Sequence, residues 1–129
     1  MIKYVHSATI LVKDQDQAVD FYVNKLGFEK RDDRPYGDPP GTSRWIVVGP
    51  PGAETALALV RPQDTGLGED AAGGSGGLSL IADDVNATYE ELSARGVTFT
   101  AKPERMPWGA LATWFADPDG NTFFLTEQG

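Results

Sequence analysis

The sequence predicts an α+β fold built from two successive β-α-β-β-β units. Three observations carry this expectation. A strand-like segment leading to an aspartate and then a helical pattern occurs twice, with Ser7 seven residues before Asp14 and Gly77 seven residues before Asp84. A glycine closes each helical pattern, Gly27 thirteen residues after Asp14 and Gly96 twelve residues after Asp84. A glycine-rich stretch separates the copies, which places the first unit at residues 1–64, a linker at 65–76 and the second unit at 77–129 of one domain.

Each element follows from local chemistry. Residues 4–12 are apolar and β-branched, with Ala8, Ile10 and Val12 on one face and Ser7, Thr9 and Leu11 on the other. Asp14 is a candidate N-cap, because its carboxylate can accept from free amides of the next turn. A helix over 16–26 then places Ala18, Phe21, Tyr22 and Leu26 on one side, and Gly27 is the expected left-handed stop. Residues 28–31 read as a short strand and 32–42 as a loop rich in proline and glycine. Ser43–Gly49 and residues 55–61 read as strands around the Pro50-Pro51-Gly52 turn.

The stretch 63–77 holds six glycines and little bulk, the composition of a flexible linker. It lacks the Lys-Ser/Thr that follows a phosphate-cradling loop and carries Glu69 and Asp70 instead. The second unit then repeats the pattern. A strand from 78 to 82 leads to Asp83-Asp84, a helix over 85–95 that buries Val85, Tyr89 and Leu92, and a stop at Gly96. A short strand at 97–99 precedes a hairpin of 111–116 and 122–127 around Asp117-Pro118-Asp119-Gly120-Asn121.

Composition narrows the chemistry. The chain has 129 residues, eleven basic against nineteen acidic, a net charge of −8, no cysteine and one histidine, His6. Thiolate chemistry and metal sites with two imidazoles from one chain are excluded. The acidic balance argues against nucleic acid and favours cationic small molecules. No apolar run reaches the ~18–20 residues that span a bilayer, and the N-terminus enters a strand pattern without a signal-peptide core. The expectation is a soluble, cytoplasmic protein without membrane partners.

Several motifs together resemble the glyoxalase/bleomycin-resistance/dioxygenase family, the vicinal oxygen chelate superfamily. They are Ile10-Leu11-Val12-Lys13-Asp14 with Ala18, Phe21-Tyr22 and Leu26-Gly27-Phe28, then Ala82-Asp83-Asp84-Val85, Leu92 and Arg95-Gly96-Val97. Trp108-Gly109 and Phe115-Ala116-Asp117-Pro118-Asp119-Gly120-Asn121 complete the set, in order over nearly the whole chain. The resemblance implies two β-α-β-β-β modules whose mixed sheets form a cup around a ligand, within a homodimer. It also implies four metal-ligand positions in the enzymatic members, which fall here on Ser7, Ala58, Gly77 and Phe124. None is a carboxylate or an imidazole, so no metal ligand and no cofactor is assigned.

His6 lies one residue off the first ligand position. Strand alternation puts it on the face of Ala8, Ile10 and Val12, unless a bulge near Ser7 turns it into the cup. His6 and Ser7 point oppositely and form no nucleophile–base pair, and no two acids are placed as an acid/base couple, so no catalytic residue is assigned.

The remaining candidates line a ligand pocket: Trp45, Trp108, Trp114 and Tyr36 for stacking, Phe124 as an apolar wall, and Ser7, Thr9, Thr113 and Thr126 for orientation, with Ala58 and Gly77 at vacated ligand positions. Trp45 and Trp114 equally suit a core or a dimer interface. The functional expectation is a metal-independent protein that binds a small organic molecule, aromatic or cationic, as in antibiotic or aromatic-metabolite sequestration. The alternatives are a glyoxalase-like lyase or isomerase, or a dioxygenase, with non-standard ligands such as His6 with Glu54 or Glu127, and a cofactor-free enzyme of the same fold.

Overall fold

The computed structural model describes residues 1–128. Strand β1 (Ser7–Leu11) leads into α1 (Gln15–Val19), which continues as a π-helical turn over Asp20–Lys25. Strands β2 (Glu29–Tyr36), β3 (Ser43–Gly49) and β4 (Ala56–Val60) complete the first sheet. The second holds β5 (Leu78–Ile81), β6 (Thr98–Phe99), β7 (Glu104–Arg105), β8 (Leu111–Ala116) and β9 (Thr122–Thr126), with α2 (Val85–Ala94) after β5. The strand orders are β1-β4-β3-β2 and β5-β9-β8-β6, with β7 also on β8. In each sheet the strand before the helix pairs in parallel with the last strand, β1 with β4 and β5 with β9. The remaining pairs are antiparallel. This is the α+β, two-module mixed-sheet architecture that the repeat predicts.

The repeated signals act as the spacing requires. Asp14 Oδ1 accepts from the Gln17 amide and Asp84 Oδ1 from the Ala87 amide, each at 3.0 Å. Gly27 and Gly96 end the helices in left-handed backbone, at φ +83° and +94°. Gln15 is buried one position ahead of the expected helix start. Its side-chain amide donates to the Leu59 carbonyl at 2.8 Å and the Arg44 carbonyl at 3.0 Å, bridging β4 and β3.

Three expectations needed correction. Residues 32–36 belong to β2 rather than to a loop. Charges on both sides hide the strand's alternation, and Pro35 is tolerated because β2 is an edge strand. The edge strand of the second sheet is split into β6 and β7, of which β7 was not foreseen. The glycine-rich segment is not a loose linker: it has helical turns at Pro62–Thr65 and Glu69–Ala71, and its backbone is bonded to both sheets.

One core joins the two sheets through their helix-bearing faces. It gathers Ile10, Val12, Phe21 and Tyr22 with Phe115, Phe123 and Leu125. Tyr22 meets Phe123 edge-on with ring centroids 6.1 Å apart, and Phe115 stacks on Phe123 at 5.3 Å. A buried polar node sits beside these rings. The Tyr22 hydroxyl donates to Asp117 Oδ2 at 2.8 Å, and the Asn121 side-chain amide donates to the same oxygen at 2.8 Å and to the Leu11 carbonyl at 3.0 Å. Asn121 Oδ1 accepts from the Ser75 amide at 2.9 Å, and the Gly73 amide donates to Leu11 at 3.3 Å. Burial, with Asp117 adjacent, pushes the Tyr22 phenol far above its usual range, so it serves as a hydrogen-bond donor at all ordinary pH. Among the described residues no helix is long and apolar enough to cross a membrane.

Two stability outcomes follow. Tyr22→Phe removes a donor from a buried carboxylate, and urea unfolding should show a loss of about 1–3 kcal/mol; an unchanged midpoint would contradict the role given to the node. A Cβ at Gly73 (φ +83°) would strike the Asp119 carbonyl oxygen, whereas one at Gly66 (φ +83°) meets nothing within 4 Å. Gly73→Ala should therefore destabilise more than Gly66→Ala, and the reverse order would count against a tightly docked connection.

Candidate functional site

The faces turned away from the shared core carry most of the candidate residues. On the first sheet, Ser7 and Thr9 of β1 stand opposite Ala56 and Ala58 of β4. Val47 of β3 stands opposite Ala58, and Trp45 lies two residues away on the same face. A register shift between Lys30 and Asp32 sets the phase of β2, so that Asp32, Arg34 and Tyr36 stand opposite Val47, Trp45 and Ser43. A cavity of about 460 Å³ is lined by Arg34, Pro35, Tyr36 and Trp45. A second, of about 330 Å³, shares Arg34 and Trp45 and adds His6, Arg31, Asp32, Val47 and Ala56.

His6 therefore lines the outward cavity and does not pack with Ala8 and Ile10. It precedes the first paired residue of β1, so strand alternation does not govern its direction, although its carbonyl accepts from the Ala56 amide at 2.9 Å. The charges of β2 divide by face. Asp33, on the other side, is held by Lys30 at 3.2 Å and Arg44 at 2.8 Å, and Arg44 also reaches Asp16 at 2.8 Å. The hydrogen bond from Arg44 keeps the Asp33 carboxyl below the usual carboxylate range. On the cavity side, Arg34 pairs with Asp32 at 2.8 Å, and Arg31 Nη2 donates to the Pro50 carbonyl at 2.6 Å.

The second sheet presents an aromatic ladder. Trp114 and Phe124 are direct cross-strand partners with ring centroids 4.8 Å apart, and Trp108 lies 6.3 Å from Phe124. Trp108 rides on the turn between β7 and β8, which is closed by the Met106 amide on Ala110 at 2.8 Å and by Arg105 Nη1 on Gly109 at 2.7 Å. Trp108 is 66% exposed and Trp114 39%, so neither is a core residue.

Thr113 requires a correction. It stands on the opposite face from Trp114 and is buried, with its hydroxyl donating to the Ala101 carbonyl at 2.6 Å. Thr126 shares the Phe124 face, but it is buried and its hydroxyl donates to the Glu127 carbonyl at 3.0 Å. Thr9 is exposed, Ser7 half-buried and Tyr36 41% exposed.

The four positions to which the resemblance assigns metal ligands form two pairs on different sheets. Ser7 and Ala58 lie on the adjacent strands β1 and β4, with Ala58 fully buried. Gly77 immediately precedes β5, whose Ser79 stands opposite Phe124 of β9. One hydroxyl and three side chains without a donor atom do not fit a divalent ion. Among the described residues no group of three or more His, Cys, Asp or Glu is placed to hold one. Glu127, a candidate for a substitute ligand, accepts from the Val85 amide at 2.9 Å at the start of α2.

Sequence reading missed Arg31, Asp32 and Arg34 as lining residues. The signal for Asp32 and Arg34 was the two-residue spacing that runs back from Tyr36, visible only once β2 is known to extend that far; Arg31 falls in the register shift, off that spacing.

Known proteins share this fold. A sequence profile described as the Glyoxalase/Bleomycin resistance protein/Dioxygenase superfamily matches residues 4–125. The chain is similar to the Bacillus subtilis (strain 168) protein YetH, 36% identical over 127 residues that cover 98% of this chain and 100% of that one. A crystal structure of a member of the same superfamily from Sphaerobacter thermophilus DSM 20745 is 53% identical with a TM-score of 0.86, covering 98% of each chain. TnmS3, an antibiotic binding protein from Streptomyces sp. CB03234, is 38% identical with a TM-score of 0.84, covering 99% of this chain and 98% of its own. With the profile spanning nearly all its residues and full-length neighbours sharing its two-sheet architecture, the chain belongs to the glyoxalase/bleomycin resistance protein/dioxygenase superfamily.

Proposed function

We propose that this protein binds a flat organic molecule without a metal ion and sequesters it, in a cup completed by a second copy of the chain. The observation that carries the reading is Phe124. It stands at a metal-ligand position of the family's enzymes, and there it is flanked by Trp108 and Trp114 instead of by ligating groups. Offset or edge-on stacking on such rings contributes about 0.5–1.5 kcal/mol per pair beyond area burial, and it suits planar ligands. The likeness to an antibiotic binding protein at 38% identity supports an antibiotic or another aromatic small molecule as the class of ligand.

Geometry supports the second copy. Within one chain the sheets pack through their helix-bearing faces, while Thr9, Ile81, Trp108 and Trp114 on the other faces are exposed. The two cavities beside Trp45 are lined by first-sheet residues and His6, and neither includes Trp114 or Phe124. Pairing the Trp45 face of one chain with the Phe124 face of another encloses a ligand on both sides. A two-fold dimer forms two such cups.

Calorimetric titration with Zn²⁺, Ni²⁺ and Mn²⁺ should show no stoichiometric binding, and one tightly held ion per cup would overturn metal independence. A thermal-shift screen of aromatic antibiotics should give hits that stabilise by about 2.7 kcal/mol at a hundredfold excess over Kd. Phe124→Ala should weaken those hits, and since it also removes two ring contacts it should lower the unliganded midpoint as well; hits that bind it as tightly as the wild type would count against the reading. Light scattering at micromolar concentration should report a dimer, and a monomer throughout would contradict the shared cup.

A further inference from the structure

We infer that the ligand of this cup carries an anionic oxygen group, a carboxylate, sulfonate or ionised phenol, on its aromatic frame, with Arg34 as its partner. The inference rests on the small-molecule reading above and deepens it. It also runs against the chain's net charge of −8, which taken alone favours a cation.

The local balance is the reverse of the global one. The cavity beside Trp45 is lined by two guanidinium groups, Arg31 and Arg34, and by His6, against one carboxylate, Asp32. The nearby acids are engaged elsewhere. Asp33 points to the other face and is bound by Lys30 and Arg44, and Asp64 is bound by Arg61 at 3.0 Å. Arg31 is anchored on a carbonyl, so its charge is not cancelled by a carboxylate there.

Arg34 is the group best placed to act. Its side chain is 72% exposed, and its ion pair with Asp32 uses Nη2, which leaves further N–H donors of the fork free. It is the direct cross-strand partner of Trp45, and the two residues line both cavities. A ring lying on the indole therefore brings a substituent at its edge to the guanidinium, where a charge-assisted and even bidentate contact can form. The opposing wall adds one carboxylate: Ser79, Ile81, Trp114, Phe124 and Thr126 carry no charge, and Glu104, opposite Ala112, shares their face on the edge strand β7, so Arg34 remains the exposed guanidinium beside the indole. Enclosure between such walls lowers the local dielectric and strengthens the contact.

The test uses three probes that share one ring system: naphthalene-2-carboxylate, 2-naphthylmethanol and 2-naphthylmethylammonium, titrated into the full-length protein by calorimetry. The carboxylate should bind most tightly, by about tenfold over the alcohol, and its advantage should shrink as salt is raised. Arg34→Gln should abolish that advantage, so that carboxylate and alcohol bind alike, and Arg34→Lys should retain part of it. The inference is overturned if the ammonium or the alcohol binds as tightly as the carboxylate, or if Arg34→Gln leaves carboxylate affinity intact; in both cases the small-molecule reading stands. If none of the three binds, that reading falls and the inference falls with it.

Discussion

Asp117 lies buried at the turn between β8 and β9 and accepts four hydrogen bonds, from the Tyr22 hydroxyl, the Asn121 side-chain amide and the backbone amides of Asp119 and Asn121. A carboxylate in that setting is tolerable only when its lone pairs are filled, because an unsatisfied buried charge is among the most costly defects a fold can carry. Its partners come from both halves of the chain. Tyr22 belongs to the first helix, and Asn121 extends the network to the Leu11 carbonyl and to Ser75 of the connecting segment. The relative placement of the two sheets is thus set by directional bonds as well as by apolar contact. Tyr22 serves both roles, since its ring also packs on Phe123.

That placement has a functional consequence. With the helix-bearing faces locked together, the other faces of both sheets are the ones the proposed cup uses. One carries Trp45 between Arg34 and Val47, and the other carries the Trp108–Phe124–Trp114 ladder. Charge is sorted along β2 in the same spirit. On the helix side acids and bases neutralise one another through Arg44, and on the outward side positive charge is in excess. Alternation along one edge strand thereby separates a structural network from a candidate binding surface.

The duplication was legible because it rests on local chemistry. An aspartate that caps a helix and a glycine that ends one act over a few residues, and Asp14, Asp84, Gly27 and Gly96 all behave as their spacing predicts. What escaped sequence reading was decided at longer range. The extension of β2 through Pro35 depends on pairing with β3, and no apolar alternation announces it. His6 escaped strand alternation by preceding the first paired residue, and naming both Thr113 and its neighbour Trp114 left open the phase of β8, which its pairing with β9 decides. The glycine-rich segment has the composition of a flexible chain, yet Gly73 is where it is because only a residue without Cβ fits against Asp119. The Asp117 turn was legible as a turn, but its bond to Tyr22, 95 residues away in sequence, was not.

In the proposed cup, one ligand is held between the Trp45 face of one chain and the Phe124 face of another. Mixing two binding-defective variants tests it most directly. Trp45→Ala and Phe124→Ala chains, each unable to bind a ligand found by screening, are unfolded together, refolded and titrated with that ligand. If the cup is shared, mixed dimers hold one cup with both walls intact, and binding returns at wild-type affinity in the fraction of sites set by random pairing. If the mixture stays as defective as its components, although light scattering shows that dimers have formed, each cup is built within a single chain and no cup is shared.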